Sequence, residues 1–213
     1  MRSGLFLAGV LLLAVPARAE EGGPDDPGRF RVGVNLGIVS IPRLINFEGY
    51  ARIHPYIGIS GGWSTFPKFA SDAILKWADA KSANTDANLN DFSAWEVALR
   101  IYPLRGTFFL GVGFGQQVVA GDFTELQGGA AGLTASARVE SWVITPRIGW
   151  QWVWASGFAM GFDIGVQFVL SHKDTLFPSG TGTQAEQDAR DLIHWGAEVP
   201  LPVIRFSIGY HFG

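Results

Sequence analysis

The sequence predicts an all-β fold: a closed antiparallel up-and-down transmembrane β-barrel of about eight strands. Three observations predict it. Apolar residues alternate with small or polar ones at period two along most of the chain, and tight connections alternate with long ones. Hydrophobic residues make up 47% of the 213, yet they form a continuous apolar stretch only near the N-terminus. A spanning helix needs about 20 apolar residues in a row, so the greasy residues must be distributed through strands.

The N-terminal stretch reads as a signal peptide over residues 1–19. Arg2 precedes an apolar segment from Leu5 to Val15, and Ala17-Arg18-Ala19 supplies an A-x-A cleavage site, so a mature chain is expected to begin near Glu20. Residues 20–29 are polar and rich in proline and glycine, as expected of a periplasmic linker, and residues 30–213 are expected to form a single barrel domain. Cleavage after Ala19 removes Arg2 and Arg18, taking the formal net charge from -3 to -5. A chain that acidic has no basic footprint for nucleic acid. It also has no cysteine, which excludes a disulfide scaffold, a lipid-modified N-terminal cysteine, a thiol nucleophile and any cysteine-ligated metal.

The alternation is plainest from Gly157 to Leu170, where Phe158, Met160, Phe162, Ile164, Val166, Phe168 and Leu170 share one face and Ala159, Gly161, Asp163, Gly165, Gln167 and Val169 the other. The same pattern recurs in each segment of an eight-strand reading: 30–41, 44–54, 56–66, 92–102, 107–119, 137–153, 157–171 and 201–212. The connections at His54-Pro55, Pro103 to Gly106 and Trp154 to Gly157 are tight. Those at 67–91, 120–136 and 172–200 are long, and the first, near Pro42-Arg43, is short. With the N-terminus on the periplasmic side, every long connection falls outside and the three tight turns fall inside, as membrane barrels require.

A soluble ligand-binding barrel would also alternate, with its apolar face turned inward. The polar face separates the two. A solvated face carries lysine, glutamate and threonine, whereas this one carries glycine, alanine and isolated charges, and Lys68, Lys76, Lys81 and Lys173 all lie in connections or at a strand end. Small residues with sparse charges suit the inside of an eight-stranded barrel, which side chains just fill. Tryptophans add a second discriminator: Trp63, Trp95, Trp142 and Trp195 fall at or beside the long-connection ends of strands, and Trp150, Trp152 and Trp154 near a tight-turn end. These predict two interfacial aromatic girdles.

The signal peptide, the eight alternating strands, the long-loop and short-turn asymmetry and the terminal segment from Ile204 to Phe212 resemble bacterial OmpA/OmpX/OmpW-type outer-membrane barrels. The resemblance covers nearly all of the mature chain. It implies residence in the cell outer membrane, among its lipids and lipopolysaccharide. It also implies that Phe206, Ile208, Tyr210 and Phe212 form a C-terminal insertion signal read by the barrel-insertion machinery. The chain departs from that pattern in one respect, because Gly213 follows the final aromatic.

Glu48, Arg52, Glu96, Arg100, Arg147, Asp163 and Arg205 share the inward parity of their strands and are expected to form a lumen charge network. Bare charges in so narrow a space are costly, so they should pair. Ser171, His172 and Asp174 near the end of the seventh strand invite a hydrolase reading. Neighbours on a strand point to opposite faces, however, so Ser171 and His172 should diverge. No carboxylate spacing around a histidine suggests a metal site, and Gly111-x-Gly113-x-Gly115 lies within a strand without the helix a nucleotide loop needs. Ser71-Asp72 is read as a cap for a helical turn with Ile74, Trp77 and Ala78 on one face. The reading is therefore a monomeric, non-enzymatic outer-membrane protein without catalytic residues, cofactor or metal, acting structurally or by interaction through its outer loops. The alternatives are a narrow porin-like transport barrel for small solutes, then an outer-membrane hydrolase, then a secreted ligand carrier.

Overall fold

The computed structural model describes residues 30–67, 75, 85–126, 131–177 and 183–212. The helical turn expected around Ser71, Asp72, Ile74, Trp77 and Ala78 lies outside these residues, as does the signal peptide. Among the described residues, β1 (Arg31–Ile41), β2 (Ile45–His54), β3 (Ile57–Thr65), β4 (Thr85–Ile101), β5 (Phe108–Glu125), β6 (Thr134–Val153), β7 (Phe158–Phe177) and β8 (Leu201–Phe212) pair antiparallel in chain order. β1 closes on β8 through a register that runs from Val32 opposite Phe212 to Ile41 opposite Ile204. Closure leaves no unpaired edge, which an open sheet in a bilayer could not tolerate.

The tight turns follow from their residues. Between β6 and β7, the Gly157 nitrogen donates to the Trp154 carbonyl at 2.9 Å, and Gly157 takes a φ of +86°. A side chain there would be strained and would also strike the Tyr210 ring. Between β4 and β5, Arg105 donates its backbone N–H to Tyr102 and lies at positive φ.

The strands are of two lengths. β1, β2, β3 and β8 have 9–12 residues, whereas β4 to β7 have 17–20 and rise well beyond them at the outer end. The expected long connections therefore shorten: 85–91, 120–125, 134–136 and 172–177 are strand, and a helix, α1 (Gln184–Glu198), occupies most of the last connection. Two bulges explain why simple alternation stopped short. Asn90 is the extra residue between the Leu89–Gly121 and Asp91–Ala120 pairs, and Leu170 the extra one between the Val169–Val143 and Ser171–Trp142 pairs. Each inserted residue flips the facing of everything beyond it.

α1 begins at Thr183, whose side chain accepts a hydrogen bond from the Glu186 nitrogen at 3.2 Å. Ala185, Ala189, Leu192 and Trp195 recur at helical spacing and are buried. They pack with Phe92, Val119, Phe123, Ala135 and Ala137 into one apolar core inside the raised strands.

Candidate functional site: the barrel lumen

Small inward-facing residues admit the large charged ones. A Cβ at Gly113 would collide with both the Glu96 carboxylate and the Arg147 guanidinium, and one at Gly149 would strike the Asp163 side chain and the Phe109 ring. Glycine at these positions gives the charges their room.

The charges meet at mid-barrel. Arg100 grips Glu48 through one guanidinium nitrogen, at 2.6 and 2.7 Å from the two carboxylate oxygens, and Asn35 donates to the same carboxylate at 3.1 Å. Arg205 bridges Glu48 at 3.0 Å and Asp163 at 2.9 Å. Arg147 pairs with Glu96 and approaches Asp163 at 3.8 Å. Six of the seven expected lumen residues are thus in one network, drawn from β2, β4, β6, β7 and β8. Charges this deep are tolerable only when each is paired, and removing one member commonly costs ~3–5 kcal/mol.

Arg52 stands apart from that network, contrary to expectation. It lies at the tight-turn end, stacks 4.2 Å over the Tyr102 ring, and donates to the carbonyls of Pro55 and Arg105. Its position two residues before the end of the β2–β3 pairing explains this, since the turn carbonyls lie nearer than any lumen carboxylate.

Below the charges lies a polar and aromatic layer. The Tyr50 and Tyr102 hydroxyls are 2.9 Å apart, Tyr102 donates to Gln151 at 2.8 Å, and His211 lies 3.1 Å from the Asn35 oxygen and 3.4 Å from the Gln151 amide nitrogen. The Tyr50 ring stacks on His211. Above the charges sits Arg43, which no parity argument could have found because it lies in the short connection between β1 and β2. Its side chain reaches into the lumen and donates to Gln117 at 3.1 Å and Gln167 at 2.6 Å.

The outermost layer is α1. Ser141 donates to the Gly196 carbonyl at 3.0 Å, the Ala185 nitrogen donates to Glu125 at 3.1 Å, and Thr85 donates to Asp188. Trp195 corrects the girdle reading. It is 4% exposed and packs edge-on against Phe92 with ring centroids 5.6 Å apart, so it anchors α1 inside the barrel. The Thr183-x-x-Glu186 spacing and the run of Ala185, Ala189 and Leu192 were the sequence signals for this helix.

The outside of the barrel is built oppositely. Val34, Leu36, Val97, Leu99, Leu110, Val112, Phe114, Ile148 and Ile164 all face outward and exposed. At one margin of this apolar surface Trp63 pairs across strands with Trp95, Trp95 meets Trp142 edge-on at 5.7 Å, and Trp142 stacks on Phe114 at 5.2 Å. At the other margin Trp150 lies against Phe108 and Phe162, with Trp152 beside them on β6, and Trp154 lies against Phe158. From Trp142 to Trp152 along a strand tilted by about 40°, the vertical rise is roughly 25 Å, the height of a membrane barrel's apolar band. The barrel spans a membrane. Its closed antiparallel build, with aromatic margins and an outward apolar face, is that of an outer-membrane protein. On β8, Phe206, Ile208, Tyr210 and Phe212 lie on this outward side, opposite Arg205, Ser207 and His211.

The residues suspected of hydrolase chemistry do not converge. Ser171 pairs with Trp142 and His172 with Ser141, on opposite faces of the sheet.

No family model and no curated protein matches the sequence. Solved structures with a similar architecture include two from Acinetobacter baumannii. One is CarO2, at 10% identity, covering 85% of this chain and 98% of that one with a TM-score of 0.45. The other is CarO, at 12% identity, covering 87% and 98% with a TM-score of 0.42. A major outer membrane protein from Thermus thermophilus is similar at 10% identity, covering 86% and 98% with a TM-score of 0.48.

Proposed function

We propose that this chain is a non-enzymatic, monomeric outer-membrane protein that acts structurally and by interaction through its outer end, with a lumen sealed against solutes. The observation that carries the reading is closure at two independent levels. Paired charges on β2, β4, β6, β7 and β8 fill the middle, and α1 fills the mouth with buried Leu192 and Trp195. A porin needs a continuous water path, which eight strands barely leave room for even without a plug. Outer-membrane lipids and lipopolysaccharide are the partners its surface suits, with insertion by the barrel-insertion machinery.

Planar-bilayer recording tests the reading. The purified barrel is expected to give no discrete conductance steps. Reproducible unitary steps from the unmodified protein would replace this reading with that of a narrow transport barrel.

A further inference from the structure

Among the described residues, the middle of the lumen holds more positive than negative charge. The guanidinium groups of Arg43, Arg100, Arg147 and Arg205, each at most 8% exposed, face only the carboxylates of Glu48, Glu96 and Asp163. Arg43 is the surplus. Its bonds go to two neutral amide oxygens and it lies 5.9 Å over the Phe92 ring, with no carboxylate of the described residues within ion-pair distance. The next buried carboxylates outward, Glu125, Glu186 and Asp188, belong to the α1 layer and have partners of their own there. A buried cation without a counter-ion is expensive, and the desolvation it suffers is offset only by a negative charge close by.

A cavity of about 30 Å³ lies beside Arg43, lined also by Ser40, Thr145, Arg147 and Arg205 and by Glu48 and Glu96, so that three guanidinium groups face two carboxylates on its wall. A single water needs roughly 10–15 Å³, so the space is real for a small occupant. Buried donors on its wall lack a hydrogen-bond partner: Arg205 Nη2, which is ion-paired to Asp163, and the Thr145 hydroxyl and Arg147 Nε, which have no such pairing. An occupant that accepts hydrogen bonds, carries one negative charge and is scarcely larger than water satisfies the donors and the surplus charge together.

We infer that the mid-lumen cavity beside Arg43, Thr145 and Arg147 binds a single halide ion, chloride in its ordinary surroundings, as a structural counter-ion of the barrel. The ion completes the charge network and holds Arg43 over the mouth of the charged layer. Binding is a property of the folded lumen and does not depend on whether the barrel conducts.

The test uses the full-length mature barrel folded in detergent, with bromide as the probe and gluconate keeping ionic strength constant. Thermal unfolding is expected to shift upward by about 2 °C or more as bromide replaces gluconate. Crystals grown in bromide are expected to show an anomalous peak within contact of the Arg43 guanidinium and the Thr145 hydroxyl. Arg43→Gln is expected to abolish both responses. Thr145→Val, which keeps the shape of the side chain, is expected to weaken the halide dependence, and it serves if Arg43→Gln does not fold. An unfolding temperature indifferent to bromide in the unmodified protein would overturn the inference, whether the density then shows water in the cavity or an adventitious ion only.

Discussion

The lower and upper parts of this barrel obey opposite rules. In the lower part, between the two aromatic margins, the inward face is polar and charged, with Glu48, Arg100, Arg147, Asp163 and Arg205 buried, and the outward face is apolar. In the raised part of β4 to β7 the inward residues are apolar, Ala87, Leu89, Val119, Phe123, Ala135 and Ala137, and the outward ones are polar, Asn88, Asp122, Thr124, Ser136 and Arg138. One continuous sheet changes its inside for its outside at the level of Trp95 and Trp142. The cause is the solvent on either side. Where lipid surrounds the barrel, hydrocarbon contact is free and polar groups must satisfy one another within. Where water surrounds it, the ordinary hydrophobic effect returns, and the sheet needs something apolar to enclose. α1 is that filling.

The contrast can be attacked from each side. The largest effect is expected from Glu48→Ala, which strips a shared partner from Arg100, Arg205 and Asn35 and should cost ~3–5 kcal/mol. The measurement is thermal or denaturant unfolding in detergent, followed by the shift between unheated and boiled protein on a denaturing gel. Next comes Leu192→Ala in the upper core, expected to cost ~2–5 kcal/mol locally as a cavity opens under a fully buried side chain. Here hydrogen exchange should quicken in α1 and the tops of β5 and β6 while the amides between the aromatic margins stay protected. Thr183→Ala removes only the helix cap and should cost about 1 kcal/mol, read by the same exchange in the first turn of α1. Lys173→Ala, at an exposed position on the raised part of β7, should stay within about 0.5 kcal/mol. Arg147→Ala must exceed it clearly in unfolding temperature, because Arg147 is buried against Glu96 and Asp163.

The same contrast explains what the sequence reveals and conceals. The lower half was legible because lipid outside and charge inside make the two faces differ sharply, so the parity of Glu48, Glu96, Arg100, Arg147, Asp163 and Arg205 reads directly. The upper half was not, for two reasons. Its alternation has the opposite sense, so residues such as Asn88, Asp122 and Arg138 look like loop, and the bulges at Asn90 and Leu170 break the count where the sense changes. Trp195 misled because a tryptophan near a strand end serves a membrane margin or a buried core equally well, and only its helical spacing from Ala185, Ala189 and Leu192 separates the two. Arg43 carried no signal at all. Its place in the lumen comes from the short β1–β2 connection sitting low against the raised strands, a feature of topology and not of local pattern.

The most direct test of the inversion exploits the absence of cysteine, which lets a single thiol report its own surroundings. Ile148→Cys and Ser136→Cys both sit on the outward face of β6, one below Trp142 and one above it. In vesicles, the account predicts that the thiol at position 148 resists a membrane-impermeant maleimide and that a fluorophore placed there is quenched by brominated lipid, whereas the thiol at 136 labels readily and escapes quenching. Rapid labelling at both positions without lipid quenching would contradict the account, showing a barrel that meets water along its whole length.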